Sequence, residues 1–69
     1  MTLPYSIIDK CLRAAFVKHG DEMLRVVAFD EDDQIMYVED EITGDEYALD
    51  GLELEAGTTF YEVKEIQEI

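Results

Sequence analysis

A stretch of 38 residues, from Val26 to Val63, contains no lysine or arginine. It holds thirteen of the eighteen aspartates and glutamates, while the five other acids and all five bases lie outside it and cancel. The formal net charge of −13 therefore belongs to one continuous half of the chain. The same half contains the residues that a core requires, among them Val26, Val27, Phe29, Ile35, Met36, Tyr37, Val38, Tyr47, Leu49 and Phe60. Since acidic tails lack such residues, we predict a folded segment with a dense negative field.

The length of the chain and its single cysteine point to one small domain, residues 1–69. Hydrophobic residues make up 48% of it, which is too high for a disordered protein. Cys11 excludes an internal disulfide, and the sequence has neither a signal-like N-terminus nor a membrane-length apolar run. We therefore predict a cytoplasmic protein that contacts no membrane. Because lysine and arginine supply affinity for nucleic acid, their scarcity also argues against direct binding to DNA or RNA.

The first twenty residues have the pattern of an amphipathic helix. Ser6 is typical of an N-cap residue and has an acid, Asp9, three positions later. Apolar residues then recur at helical spacing: Ile8, Cys11, Leu12, Ala15 and Phe16. Gly20 follows two residues with basic side chains and is a favourable helix stop. These signals predict one helix from Ile7 to His19.

The same segment has a second interpretation as a strand. Residues from Leu12 to Lys18 can extend, turn at His19–Gly20 and pair with Met23–Phe29. The cap and the glycine stop favour the helix, so the strand is the alternative.

From Glu22 onward the pattern changes to short strands separated by turns. Runs rich in apolar and β-branched residues alternate with polar breaks, and Gly44 and Gly51 mark two of the turns. The predicted strands are Met23–Phe29, Ile35–Glu39, Glu46–Leu49 and Thr58 to about Lys64. The residues after Val63 fit either a continued strand or a helical turn.

An apolar sheet face needs a cover, and the N-terminal helix is the available one. We therefore predict an α+β fold in which an N-terminal amphipathic helix packs on a small, twisted antiparallel sheet of three to four strands. The alternative is an all-β, five-stranded SH3-like barrel in which the first segment is recruited as a strand.

Groups suited to catalysis are scarce. The chain has one serine, one cysteine and one histidine, namely Ser6, Cys11 and His19, and each has a structural explanation on the predicted helix. Eight residues along a helix separate Cys11 from His19 by ~12 Å, too far for a catalytic pair. The run Asp30–Asp33 suggests a calcium loop, but Ile35 stands where an EF-hand requires glycine. We predict that the protein is not an enzyme and has no metal or cofactor.

The acidic half predicts a binding function. A chain of this length folds to a radius of gyration of ~11 Å, and thirteen phosphates of duplex DNA occupy ~22 Å of its axis. The protein therefore carries about as much charge as an equal length of DNA. The predicted partner-binding residues are Asp30, Glu31, Asp32, Asp33, Glu39, Asp40, Glu41, Asp45 and Glu46. The expected partner is a basic protein, in particular a DNA- or RNA-binding one whose groove these carboxylates occupy. Phage inhibitors of the anti-restriction or anti-CRISPR type are often built this way, which is an analogy of type.

The alternative function is a small protein-interaction module or assembly subunit whose acidic face docks a basic protein. A nucleic-acid mimic should present its acids on one convex face, whereas a module should show an apolar patch with acids at its rim. We expect at least two of four aromatic residues to be buried in the core: Tyr37, Tyr47, Phe60 and Tyr61. Formation of a homodimer through the last strand stays open.

Overall fold

One antiparallel sheet organises the chain. The computed structural model describes residues 2–63 and 67–69. Its elements are α1 (Tyr5–Arg13), β1 (Phe16–His19), β2 (Glu22–Asp30), β3 (Ile35–Asp40), β4 (Glu46–Leu49), α2 (Gly51–Glu55), β5 (Thr58–Val63) and β6 (Gln67–Glu68). The strand order is β4-β3-β2-β1-β5-β6. The molecule measures 31 × 24 × 18 Å along its principal axes.

The core lies on one face of this sheet, where both helices cover it. Strand β3 shows the alternation that creates the face, because Met36 and Val38 are fully buried and Tyr37 between them is exposed. The core residues are Leu3, Cys11, Val17, Leu24, Met36, Val38, Leu49, Leu54 and Phe60. Leu3 and Cys11 come from the N-terminal segment and Leu54 from α2, so the predicted packing of a helix on the sheet is present.

Helix α1 is shorter than the sequence predicts. It begins at Tyr5 after Pro4, which takes the N-cap position, so Ser6 lies inside the first turn and the predicted cap is wrong. It ends at Arg13 because Ala14 is extended, with φ −72° and ψ 133°. Two basic residues in the last turn suit the negative end of the helix dipole.

Residues Phe16–His19 form β1, so the predicted helix is wrong beyond Arg13 and the alternative strand is right there. Val17 explains the outcome: it is fully buried, and it pairs with Leu24 of β2 on one side and Phe60 of β5 on the other. A strand that is paired along both edges satisfies its backbone hydrogen-bonding groups and, in the same arrangement, buries the side chains on its core face. Gly20, at φ 62°, makes the β1–β2 turn instead of stopping a helix.

The predicted strands of the acidic half are present, with ends that differ by about one residue. The sheet nevertheless has five main strands and a two-residue β6, more than the three to four expected. The SH3-like alternative is right about five main strands and about Phe16–His19 as a strand. It omits α1, and the strand order of the described residues is that of a sheet with β4 and β6 at its edges, not a barrel. The last predicted strand ends at Val63 within the described residues, and Lys64 lies outside them.

Helix α2 is a short element that the predicted strand–turn pattern omits. Asp50 ends the preceding extended segment, and its Oδ1 accepts a hydrogen bond of 3.0 Å from the Glu53 N–H. Leu54 then faces the core and is buried. An aspartate three residues before a glutamate is a helix-start signal, so this helix could be found from sequence.

Candidate protein-binding surface

The nine predicted partner-binding residues fall into two groups at opposite ends of β3. The β2–β3 acids are Asp30, Glu31, Asp32 and Asp33, and the β3–β4 acids are Glu39, Asp40, Glu41, Asp45 and Glu46. Strand β3 has six residues, which places its ends ~17 Å apart. The structure thus brings each group together and separates the two, where the sequence suggests one continuous array.

The β2–β3 turn is closed by its own first acid. Asp30 Oδ1 accepts hydrogen bonds from the N–H groups of Asp32, at 3.0 Å, and Asp33, at 3.1 Å. Gln34 follows with a positive φ of 55°, and its Oε1 accepts a bond of 2.9 Å from the Leu3 N–H. Asp30 therefore holds the turn, and the three residues after it present exposed carboxylates.

The β3–β4 turn repeats this arrangement. Asp40 Oδ1 accepts hydrogen bonds from the N–H groups of Ile42, at 2.8 Å, and Thr43, at 3.2 Å. Gly44 provides the positive φ, 79°. The backbone N–H of Asp40 then bonds the Asp45 carbonyl at 2.8 Å, which starts the return strand.

An aspartate thus closes each of three consecutive segments, at Asp30, Asp40 and Asp50. Sequence reasoning places Asp30 and Asp40 among the partner-binding acids and Asp50 in a turn before Gly51, and it assigns no hydrogen bonds to their carboxylates. Their position at the end of a strand, or directly after it for Asp50, is the signal that was missed, because a short carboxylate accepts N–H groups two or three residues ahead. Part of the acidity therefore serves the fold, and the exposed carboxylates beside these residues are the better candidates for partner contact.

Arg25 lies against the β3–β4 acids. Its Nη2 donates to Glu39 Oε1 at 2.7 Å, and register places Glu46 on the other side of Glu39. This hydrogen bond, followed by the charge of Glu39, raises the pKa of Arg25 above its ordinary value. Arg13 is likewise engaged, by Asp9 and Glu62. Glu39 is therefore already paired with a cation, unlike the role that the sequence predicts for it.

Tyr47 locates a further carboxylate beside the β3–β4 acids. Desolvation and then the charges of Asp45, Glu22 and Asp40 raise the pKa of Tyr47 above its ordinary value. Glu22 begins β2, far from the other three residues in sequence, so the antiparallel register brings it here. The predicted set omits Glu22.

An apolar row crosses the exposed face of the sheet between the two acidic groups. Register places Ala28 of β2 and Ala48 of β4 directly opposite Tyr37 of β3, so the three side chains share one face. All three residues are exposed, Tyr37 by 42%. We call Ala28, Tyr37 and Ala48 the Tyr37 row.

The expectation that two of four aromatic residues are buried is wrong. Phe60 is in the core, Tyr61 is half-buried, and Tyr37 and Tyr47 are each 42% exposed. Tyr37 lies on the face opposite the core and Tyr47 lies on the edge strand β4, so neither can be fully covered by the sheet.

His19 and Cys11, the residues considered for catalysis, lie in surroundings that serve the fold. His19 contacts Thr58 Oγ1 through Nδ1 at 3.1 Å and Glu53 Oε2 through Nε2 at 3.4 Å. Cys11 is 2% exposed, and burial raises the pKa of its thiol to about 11. A thiol of that kind is inert, since nucleophilic cysteines need a lowered pKa. His19 belongs to β1, so its predicted place at a helix end is wrong.

In residues 2–63 and 67–69 no helix has the length and apolar character to cross a bilayer. The same residues bring together no three histidine, cysteine or acidic side chains suited to hold a metal ion. Comparisons with protein-family models, with curated proteins and with solved structures find no match to this chain. The exposed surface is therefore the guide to function.

Proposed function

We propose that this protein binds a basic protein through its two acidic groups, and that the target is a DNA- or RNA-binding protein whose groove they occupy. The observation that carries the proposal is the charge density, −13 on a body 31 Å long. Thirteen DNA phosphates occupy ~22 Å, so a cleft lined by lysine and arginine meets a comparable field in either ligand. A cytoplasmic location and independence of cofactors stay predictions from sequence.

The turns give this charge a defined shape. Because Asp30 and Asp40 each accept two backbone N–H groups, the exposed carboxylates that follow are held on short, closed turns. Carboxylates held in place lose less conformational entropy on binding than those on a disordered tail. Their field also speeds encounter with a cationic target, an effect that salt weakens. Occupation of the groove then excludes nucleic acid by direct competition.

Affinity capture tests the proposal. The immobilised protein is exposed to a cell lysate, and bound proteins are eluted first with DNA or RNA and then with a salt gradient. We expect one stoichiometric nucleic-acid-binding protein that its own DNA or RNA displaces. A smear of basic proteins that elutes at low salt would contradict a specific target.

Two charge-matched variants sharpen the capture. D32K/E46K reverses one exposed carboxylate from each acidic group and leaves the turn-closing aspartates in place. E55K/E68K makes the same change in net charge at exposed residues outside both groups. We expect at least tenfold weaker binding for the first and little change for the second, mainly through the association rate. Equal loss in both variants would mean that net charge alone governs capture.

A protein-interaction module is the second candidate, and the Tyr37 row favours it. An apolar centre between charged margins is the usual anatomy of a protein interface. In the capture experiment this candidate yields a specific partner that nucleic acid does not displace.

A further inference from the structure

Tyr37 is partly exposed, by 42%, on the face of the sheet opposite the core. Alanine stands directly opposite it on both neighbouring strands, at Ala28 and Ala48, and both alanines are themselves exposed. In sheets an aromatic residue gains stability from branched or aromatic cross-strand neighbours, and a single methyl group supplies little of that contact. The fold thus leaves 42% of Tyr37 exposed, beside a bulge in β2 where Val27 is also exposed.

A carboxylate lies two residues from Tyr37 along the strand, on the same face of the sheet. Residues two apart on a strand share a face and are separated by ~6.6 Å, so Glu39 follows Tyr37 along the exposed face of β3. Glu46 stands beside Glu39 on β4, and Arg25 donates to Glu39 from β2. At the other end of the same face, Asp30 pairs with Ile35. Along the strand the ring therefore has Glu39 on one side and Ile35 on the other, and alanines stand across from it on both neighbouring strands.

Arginine is the side chain that matches both features at once. Its planar guanidinium stacks on an aromatic face within ~6 Å of the ring, and its N–H groups form paired hydrogen bonds with a carboxylate. Lysine offers a compact, strongly hydrated charge and cannot do both as well. We infer that the Tyr37 row is the anchor for an arginine of the basic partner, with its guanidinium stacked on Tyr37 and bonded to Glu46.

This inference rests on the proposed function, because it assumes a basic partner and adds which side chain docks and where. A second copy of the chain is a poorer occupant, since two molecules of net charge −13 repel each other.

Capped octa-arginine and octa-lysine are the probes, since they have the same formal charge. Titration by calorimetry at low salt should show at least fivefold tighter binding of octa-arginine to the unmodified protein. Y37A should abolish this preference and Y37F should retain it, because phenylalanine keeps the ring. A48V should also reduce the preference, because a branched neighbour covers the ring while suiting the strand. The A48V variant keeps the test valid if Y37A fails to fold.

Two further variants separate the possible failures. Y47A should leave the preference unchanged, because Tyr47 is equally exposed but pairs with Val38, away from the Tyr37 row. D32K/E46K should weaken both peptides through the loss of charge. Equal binding of the two peptides, unaffected by Y37A, overturns the inference and leaves the proposed function standing. Binding of neither peptide overturns both, and concentration-dependent dimerisation that Y37A removes assigns the row to a second copy.

Discussion

The turns at the two ends of β3 are closed by the same local device and differ in how they attach to the rest of the molecule. In each, a strand-ending aspartate accepts the N–H groups two and three residues ahead. In the β2–β3 turn the left-handed residue is Gln34, whose side chain binds the Leu3 backbone. In the β3–β4 turn it is Gly44, and a methyl group added there would meet no described residue beyond its two chain neighbours.

The difference concerns anchoring to the core. Leu3 is a core residue, so the bond from its N–H to Gln34 ties the β2–β3 turn to the N-terminal segment. The β3–β4 turn projects away from the body, with Ile42 at its tip 95% exposed. Equivalent local hydrogen bonding therefore closes one turn that is also bonded to a core residue, Leu3, and one turn whose tip residue, Ile42, is exposed.

Removal of the closing aspartates should have the largest effect. D30A and D40A each remove the acceptor for two backbone N–H groups, and we expect a loss of ~1–2 kcal/mol in the free energy of unfolding. D30N and D40N keep an acceptor oxygen and remove a charge, so they should be near neutral. Urea denaturation of the four variants makes the comparison. Alanine variants as stable as the asparagine ones would show that these bonds do not hold the turns.

Changes at the left-handed residues should have smaller and unequal effects. G44A places a Cβ at φ 79° and should cost ~1 kcal/mol through backbone strain alone. Q34G relieves the strain at φ 55° and loses the bond to Leu3, so the two effects offset to within ~0.5 kcal/mol. The same urea titrations measure both. If Q34G costs more than G44A, the bond to Leu3 outweighs the strain.

Alkylation of Cys11 should detect the difference in anchoring between the two turns. It involves the smallest change in free energy of these tests. Cys11 of α1 and Leu3 belong to the same buried core, so release of Leu3 should let the N-terminal segment open locally. We expect Q34G to speed reaction with iodoacetamide at pH 8 by about threefold or more, since ~1.4 kcal/mol is a factor of ten in an opening equilibrium. G44A serves as the control and should leave local opening unchanged. Greater acceleration in G44A than in Q34G would mean that Cys11 reacts only after global unfolding.

The same reaction should depend on pH through the ionisation of the Cys11 thiol. Burial raises the pKa of the folded Cys11 thiol to about 11, against an ordinary value of 9.0. The thiol of an opened molecule has the ordinary value, so its ionisation favours opening and alkylation through opening should keep rising from pH 9 towards pH 11. A rate at pH 10 that Q34G leaves unchanged would instead assign the reaction to the folded thiol. By linkage, stability falls as pH rises from 9 to 11, because the unfolded chain releases its proton first.

Local patterns predicted most of the acidic half. Strands β2, β3 and β4 were found because apolar alternation and the turn residues between them are short-range properties. Helix α2 was missed although Asp50 and Glu53 carry its start signal. The identity of the candidate acids was also local. The division of these acids into two groups is not a local property, because it depends on which strand ends meet. The position of Tyr37 between Ala28 and Ala48 is not local either, because it depends on the register of the strands.

The sequence by itself determined where the negative charge resides and which residues can form strands beside it, because charge and alternation are summed over neighbours along the chain. Tertiary structure decided the fate of Phe16–His19 and the direction in which each acid faces. The spacing of Phe16 with Leu12 and Cys11 suits a helix, and it yields to β1 because Val17 is buried by Leu24 and by Phe60, which lies far away in sequence. A contact of that range has no local signature, so only the assembled sheet could select the strand.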